Sequence, residues 1–179
     1  MRMPAVLTRH DLPVAELSAL LLDGDAFPLD EAVIVVDEPD WPASRARALT
    51  GVLGPRLIAE RDSALWVHGC LPHPPLTHTA ALPRELRGLR LVPTPRVGVR
   101  EVVISDAEVI ELEGLRLTSP ARTLLDLAQQ PVLAPQVASG ARRLAGSPGV
   151  TDAAVELLRS LGRVPGKARA LRTIGEWSR

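Results

Sequence analysis

The side chains that could do chemistry are few. Ser119 is the obvious nucleophile, because residues 115–117 read as a strand and Pro120 opens a helix directly after it. A hydrolase serine stands at such a strand-to-helix step, but no Gly-x-Ser-x-Gly surrounds Ser119. An N-cap role accounts for its hydroxyl without any reaction. His68 could titrate near neutral pH. Its place before Gly69, at the end of a helix read over 62–67, equally suits a helix-end cap. Arg122 and Asp126 lie four apart on the helix after Pro120, which predicts an exposed ion pair worth about 0.2–0.5 kcal/mol. Together with His68 they form the one set an enzyme could use. His73 and His78 lack the further ligands that a zinc site needs. Glu108, Glu111 and Glu113 approach strand alternation and read as a solvated strand side rather than as a nuclease metal cluster. There is no phosphate-binding glycine loop, dinucleotide fingerprint or zinc signature. No metal and no cofactor is expected, and binding is favoured over catalysis.

Charge points to where binding would occur. The chain has 179 residues, is 46% hydrophobic and only 2% aromatic, and carries no net charge. It can bury a core of Leu, Val, Ala and Ile, and it is not a uniformly basic nucleic-acid binder. The charge falls in blocks: residues 1–41 hold 2 basic and 9 acidic side chains, and residues 42–100 hold 9 basic and 3 acidic. Arg84, Arg87, Arg90, Arg96 and Arg100 are the densest basic set. They suit phosphates or an acidic partner, or they guard strand edges against pairing. Lys167, Arg169 and Arg172 make the last helix attractive to an anion. Cys70 is alone, so no intrachain disulfide forms. The first residues do not read as a signal peptide, and no apolar run is long enough to span a membrane. A cytoplasmic protein is the expectation.

The elements follow from period and punctuation. Helices are read over 13–22, over 42–49 with an end near Gly51, over 62–67, after Pro120, and over 132–144. Two more are read over 152–161, capped by Thr151, and over 167–177. Strands are read over 32–36, 76–80, 89–92, 99–104, 109–112 and 115–117, with another element beginning near 57–59. The expected class is α+β, an antiparallel or mixed sheet with packed helices. Helix, turn and strand in the acidic first block fit a degenerate winged-helix-like segment, or a small α+β cap. Two α/β lobes hinged at 72–75 are the alternative architecture.

Two stretches together resemble a known family. Ala64, Trp66, His68 and Gly69 form one; Gly114, Thr118, Ser119, Pro120, Arg122, Thr123 and Asp126 form the other. The pair resembles the AbiEi-type antitoxins, the antitoxin half of type IV toxin–antitoxin (abortive infection) systems. The resemblance implies a winged-helix-like N-terminal region over 1–55 and an AbiEi-like C-terminal domain over 56–179. It implies a non-enzymatic protein that counters a nucleotidyltransferase toxin and binds operator DNA. It also makes Trp66, His68, Gly69, Ser119, Pro120, Arg122 and Asp126 a structural signature. The longer relatives' nuclease-like domain is not carried over. The alternatives are a DNA-binding regulator without a toxin, and an enzyme using His68, Arg122 and Asp126.

Overall fold

A computed structural model describes residues 4–88, 90, 94–162 and 165–178. The first unit is built from β1 (Val6–Leu7), α1 (Val14–Asp23), β2 (Ala26–Leu29) and β3 (Ala32–Val35), an antiparallel sheet in the order β1-β3-β2. Asp30, at φ 57, makes the tight turn between β2 and β3, a left-handed position that Asp tolerates better than most residues. Leu7, Leu17, Ala26 and Val33 close a small core between α1 and this sheet. Neither β1 nor β2 was expected: β1 has two residues and shows no period, and β2 contains Pro28.

The helix α2 (Pro42–Leu53) leads to the second sheet. It does not end near Gly51. Leu49 and Leu53 are both buried on one face, and that burial outweighs the roughly 1 kcal/mol cost of a helical glycine. The second sheet consists of β4 (Ile58–Ala59), β5 (His78–Pro83), β6 (Val97–Val102), β7 (Val109–Leu112) and β8 (Leu115–Thr118). Its order is β6-β5-β4-β8-β7, with β4 parallel to β8, β5 parallel to β6 and the other pairs antiparallel. The sheet is therefore mixed and the class is α+β. β5 starts two residues and ends three residues later than the strand read at 76–80, and β6 lies two residues earlier than the strand read at 99–104. The strand read at 89–92 rests on Leu89, Leu91 and Val92, which lie outside the described residues.

Among the described residues the further α-helices are α3 (Arg61–Val67), α4 (Pro120–Ala128), α5 (Pro135–Ala145), α6 (Val150–Ser160) and α7 (Lys167–Trp177). α4 is the central one, packed against α3, α5, α6, α7 and β8. The helix α5 starts at Pro135 rather than at 132, because proline suits the first helical position. Thr151 does not cap α6. Gly149, at φ 74, takes the N-cap position, and the Thr151 hydroxyl donates to the Ala145 carbonyl at 3.0 Å. α7 occupies the range read for it.

Candidate functional site

The β8–α4 junction is built as the residue types dictate. Ser119 accepts a hydrogen bond from the Arg122 N–H at 3.3 Å, and Pro120 follows it at the first helical position. The Thr118 and Thr123 hydroxyls pair at 2.7 Å inside the turn. The helix end opposite is equally fixed: Gly69, at φ 78, turns the chain, and the Cys70 N–H donates to the Leu65 carbonyl at 2.9 Å. His68 joins the two. Its Nε2 lies 3.0 Å from the Thr118 carbonyl, so that nitrogen carries the proton and donates. Burial pulls the His68 pKa down and the carbonyl bond only partly opposes it. Trp66 is fully buried beneath, with the Arg45 guanidinium 5.6 Å from its ring centroid. Arg45 also donates to the Trp66 and Leu71 carbonyls at 2.8 Å and grips Asp40 with two bonds of 2.6 Å. The two signature stretches are thus one packed unit.

Arg122 and Asp126 do pair, at 3.0 Å, but the pair is buried rather than exposed. The reason lies outside the helix. Asp126 Oδ1 also lies 3.4 Å from the Arg100 guanidinium, which makes two 2.7 Å bonds to Glu60. The Arg122 guanidinium reaches on to Glu108. Glu108 is buried too, not solvated, and its other oxygen accepts from the Ser105 N–H at 2.8 Å and hydroxyl at 2.7 Å. The result is one chain of charges, Glu60–Arg100–Asp126–Arg122–Glu108, tying the start of α3, β6, α4 and the turn before β7. Burial works against both arginines' charge, but the facing carboxylates outweigh it and raise their pKa values. Burial would raise the Glu108 carboxyl, yet the Ser105 bonds and Arg122 hold it below its usual range.

A second polar cluster was not visible in the sequence. Ser63 Oγ lies 3.1 Å from His78 Nδ1, and His78 Nε2 lies 2.9 Å from Asp30 Oδ2. Serine, histidine and aspartate in that order suggest a hydrolase relay. The serine and histidine are both fully buried, and the hydroxyl already accepts the Thr79 N–H at 2.8 Å. The cluster is a cross-link between the β2–β3 turn and the second sheet. Arg96 strengthens it by pairing with Asp30 and, at 3.3 Å, with Glu31. Burial opposes ionisation of Asp30, but His78 and Arg96 outweigh it and lower its pKa. No spacing rule links residues 30, 63 and 78, so sequence reasoning had no signal for this contact.

The eight basic side chains expected to bind a partner do not form one surface set. Arg96 and Arg100 are spent on the internal pairs just described. Lys167 donates to the Arg159 carbonyl at 3.0 Å and to those of Leu161 and Gly162, closing the end of α6. Arg169 donates to the Gln129 carbonyl at 2.8 Å. Arg87 makes an exposed 3.4 Å pair with Glu101. Arg84, Arg90 and Arg172 stand open to solvent. Among the described residues no group of three or more His, Cys, Asp or Glu is placed to hold a metal ion, and no helix is long and apolar enough to cross a membrane.

The two signature stretches thus dock the central helix α4 against a mixed sheet. Residues 57–170 match the model of the AbiEi antitoxin C-terminal domain, and the chain belongs to that family. Its role is accordingly that of the antitoxin in a toxin–antitoxin system. Among solved structures, the crystal structure of the RV2827C protein from Mycobacterium tuberculosis is similar over 96% of this chain and 73% of that one. The identity is 18% and the TM-score 0.49. No curated protein matches.

Proposed function

We propose that this antitoxin counters a nucleotidyltransferase-type toxin in the cytoplasm and represses its own transcription by binding operator DNA. The observation that carries the reading is the family match over 57–170 together with the signature residues it contains. The protein acts by binding, not by catalysis. His68, Arg122 and Asp126, the one set an enzyme would have used, are committed to internal bonds. Two regions divide the work: 1–55, a degenerate winged-helix-like unit, and 56–179, the AbiEi-like domain. The arrangement of α1 before a hairpin whose second strand pairs with β1 supports the first assignment. Its helix does not read bases. α1 carries Glu16 and Asp23 and no basic side chain, whereas groove-reading helices rely on Arg, Lys, Asn or Gln. Phosphate contacts fall instead to Arg84, Arg90 and Arg172, the exposed members of the basic set that no described bond engages.

Co-expression with a nucleotidyltransferase-like toxin gene found beside this one tests the toxin half; the lack of such a neighbour, or unchanged growth arrest, counts against it. Binding to the promoter fragment tests the DNA half. Three phosphate contacts give a slope of log K against log salt of about −3, and absent binding at low salt removes operator recognition. DNA binding in the absence of any toxin gene would instead favour a regulator without a toxin, a reading that the exposed arginines also support.

A further inference from the structure

One half-buried carboxylate is left without a cation. Asp30, Glu60, Glu108 and Asp126 are each paired with an arginine. Asp62, in the first turn of α3, pairs with none among the described residues, and Arg61 beside it leans toward Glu60 at 3.9 Å instead. Burial pushes the Asp62 carboxyl above its usual range, and the Arg61 charge and the Asp62 N–H oppose that only in part. Asp62 lines a cleft of about 260 Å³ between the starts of α3 and α5 and the segment that follows α3. Leu71, Pro72, Pro74, Pro75 and Val137 make its walls apolar. Proline holds its φ fixed, so the walls stand preformed. His73 and Gln136 are its other polar side chains, and Leu76, which also lines it, is 89% exposed.

We infer that this cleft binds a primary ammonium carried on a short alkyl stem, with Asp62 as its counter-ion and the proline-rich wall around the stem. The chemistry of the lining excludes the other classes. An anion would be repelled by the carboxylate. A neutral apolar ligand would cover Asp62 and leave its charge unpaired. A metal ion needs three or four ligands, and no group of three or more His, Cys, Asp or Glu is placed for one among the described residues. A nucleotide needs a larger pocket, of roughly 300–1,000 Å³. The three donors of an ammonium match in number the three polar side chains Asp62, His73 and Gln136, whereas a guanidinium brings five. The ammonium belongs either to a lysine side chain or to a free alkyl diamine. This site is independent of the toxin and operator readings.

The test follows the carboxyl signals of the full-length chain, carrying isotope-labelled aspartate, by NMR. The probes are n-butylamine and, as the uncharged control, n-butanol. The Asp62 signal, assigned from Asp62→Asn, is expected to shift saturably with the amine and not with the alcohol. Its titration midpoint should fall when the amine is bound, because a facing cation favours the ionised form. Asp62→Asn is expected to weaken amine binding, read from the backbone amide signals, about tenfold or more. Leu76→Ser should weaken it about threefold by removing part of the wall. A lysine with both its α-groups capped and a diaminopentane then identify the source, as whichever binds more tightly. A shift no larger at Asp62 than at the exposed Asp23, equal affinity for the alcohol, or affinity within about twofold of the parent in Asp62→Asn overturns the assignment. Should Asp62→Asn fail to fold, as read by its circular-dichroism melt, the alcohol control and Leu76→Ser decide.

Discussion

Asp126 gives one oxygen to Arg122 at 3.0 Å and the other to Arg100 at 3.4 Å. Removing that carboxylate leaves two partly desolvated guanidiniums facing each other. Asp126→Ala is therefore expected to cost about 3–5 kcal/mol, read from urea unfolding; a loss below about 1 kcal/mol would mean that the pair is screened as a surface pair is. The pH dependence below neutrality follows chiefly from His68, Asp30, Glu108 and Asp62. The folded-state pKa of His68 lies below its ordinary 6.5, so its contribution is full above that value and is lost as the pH falls. Asp30 and Glu108 are likewise depressed, from 3.8 and 4.5, and their contributions are lost at lower pH still. Asp62 runs the other way, since burial raises its pKa and protonation relieves that cost. The urea midpoint should hold steady above neutrality, begin to fall through the histidine range, and fall further through the carboxylate range. His68→Asn should remove the first decline and leave the second. A midpoint that is flat down to the carboxylate range in the parent protein would contradict the buried, neutral His68.

At the scale of elements, α4 depends on its cap and on its neighbours. Ser119→Ala removes the oxygen that accepts the Arg122 N–H and should cost about 1 kcal/mol in thermal or urea unfolding. Gly140, in α5, separates two opposing effects. Helix propensity alone predicts that alanine there stabilises by about 1 kcal/mol. A Cβ, however, would stand 2.6 Å from the Cys70 carbonyl and 2.9 Å from Leu65. The carbonyl is backbone and cannot swing away, so Gly140→Ala should destabilise by about 1–3 kcal/mol. A stabilised variant would show that α3 and α5 pack more loosely than described.

The same elements show what the sequence made readable. The junction of Ser119, Pro120 and α4 was recoverable because a cap and a first-turn proline are local signals. So was α7, whose boundaries match the reading. The spacing of Arg122 and Asp126 revealed their pairing but not their burial, because Arg100 and Glu108 arrive from other elements. Glu108 carried a usable sign: Ser105-x-x-Glu108 is a capping box, and both of its bonds are present. β5 and β6 shifted by two to three residues, in opposite directions, because their ends are set by cross-strand partners such as His78 and Val97. The Asp30–His78–Ser63 cross-link is wholly tertiary, and no pattern along the chain announces it.

Across the whole molecule, exposed charge of both signs is spread: Arg9 stands open in the first unit, Arg56, Arg142 and Arg159 beyond it, and Glu101, Glu111 and Glu113 on and around the second sheet. The proposed phosphate contacts are the open Arg84 and Arg90 on the β5–β6 connection and Arg172 on α7. Arg84→Ala with Arg90→Ala and Arg172→Ala should lower promoter affinity and make its salt slope shallower by about 1 per contact removed. Filter binding across a salt series checks this; an unchanged slope would mean that DNA, if bound, lies elsewhere. The central claim concerns the toxin. Its most direct measurement is the growth of cells expressing a nucleotidyltransferase-like toxin of the proposed class, with and without this chain. The account predicts arrest with the toxin alone and restored growth with the pair. Arrest that persists while the chain is present, folded and at matching abundance would contradict it.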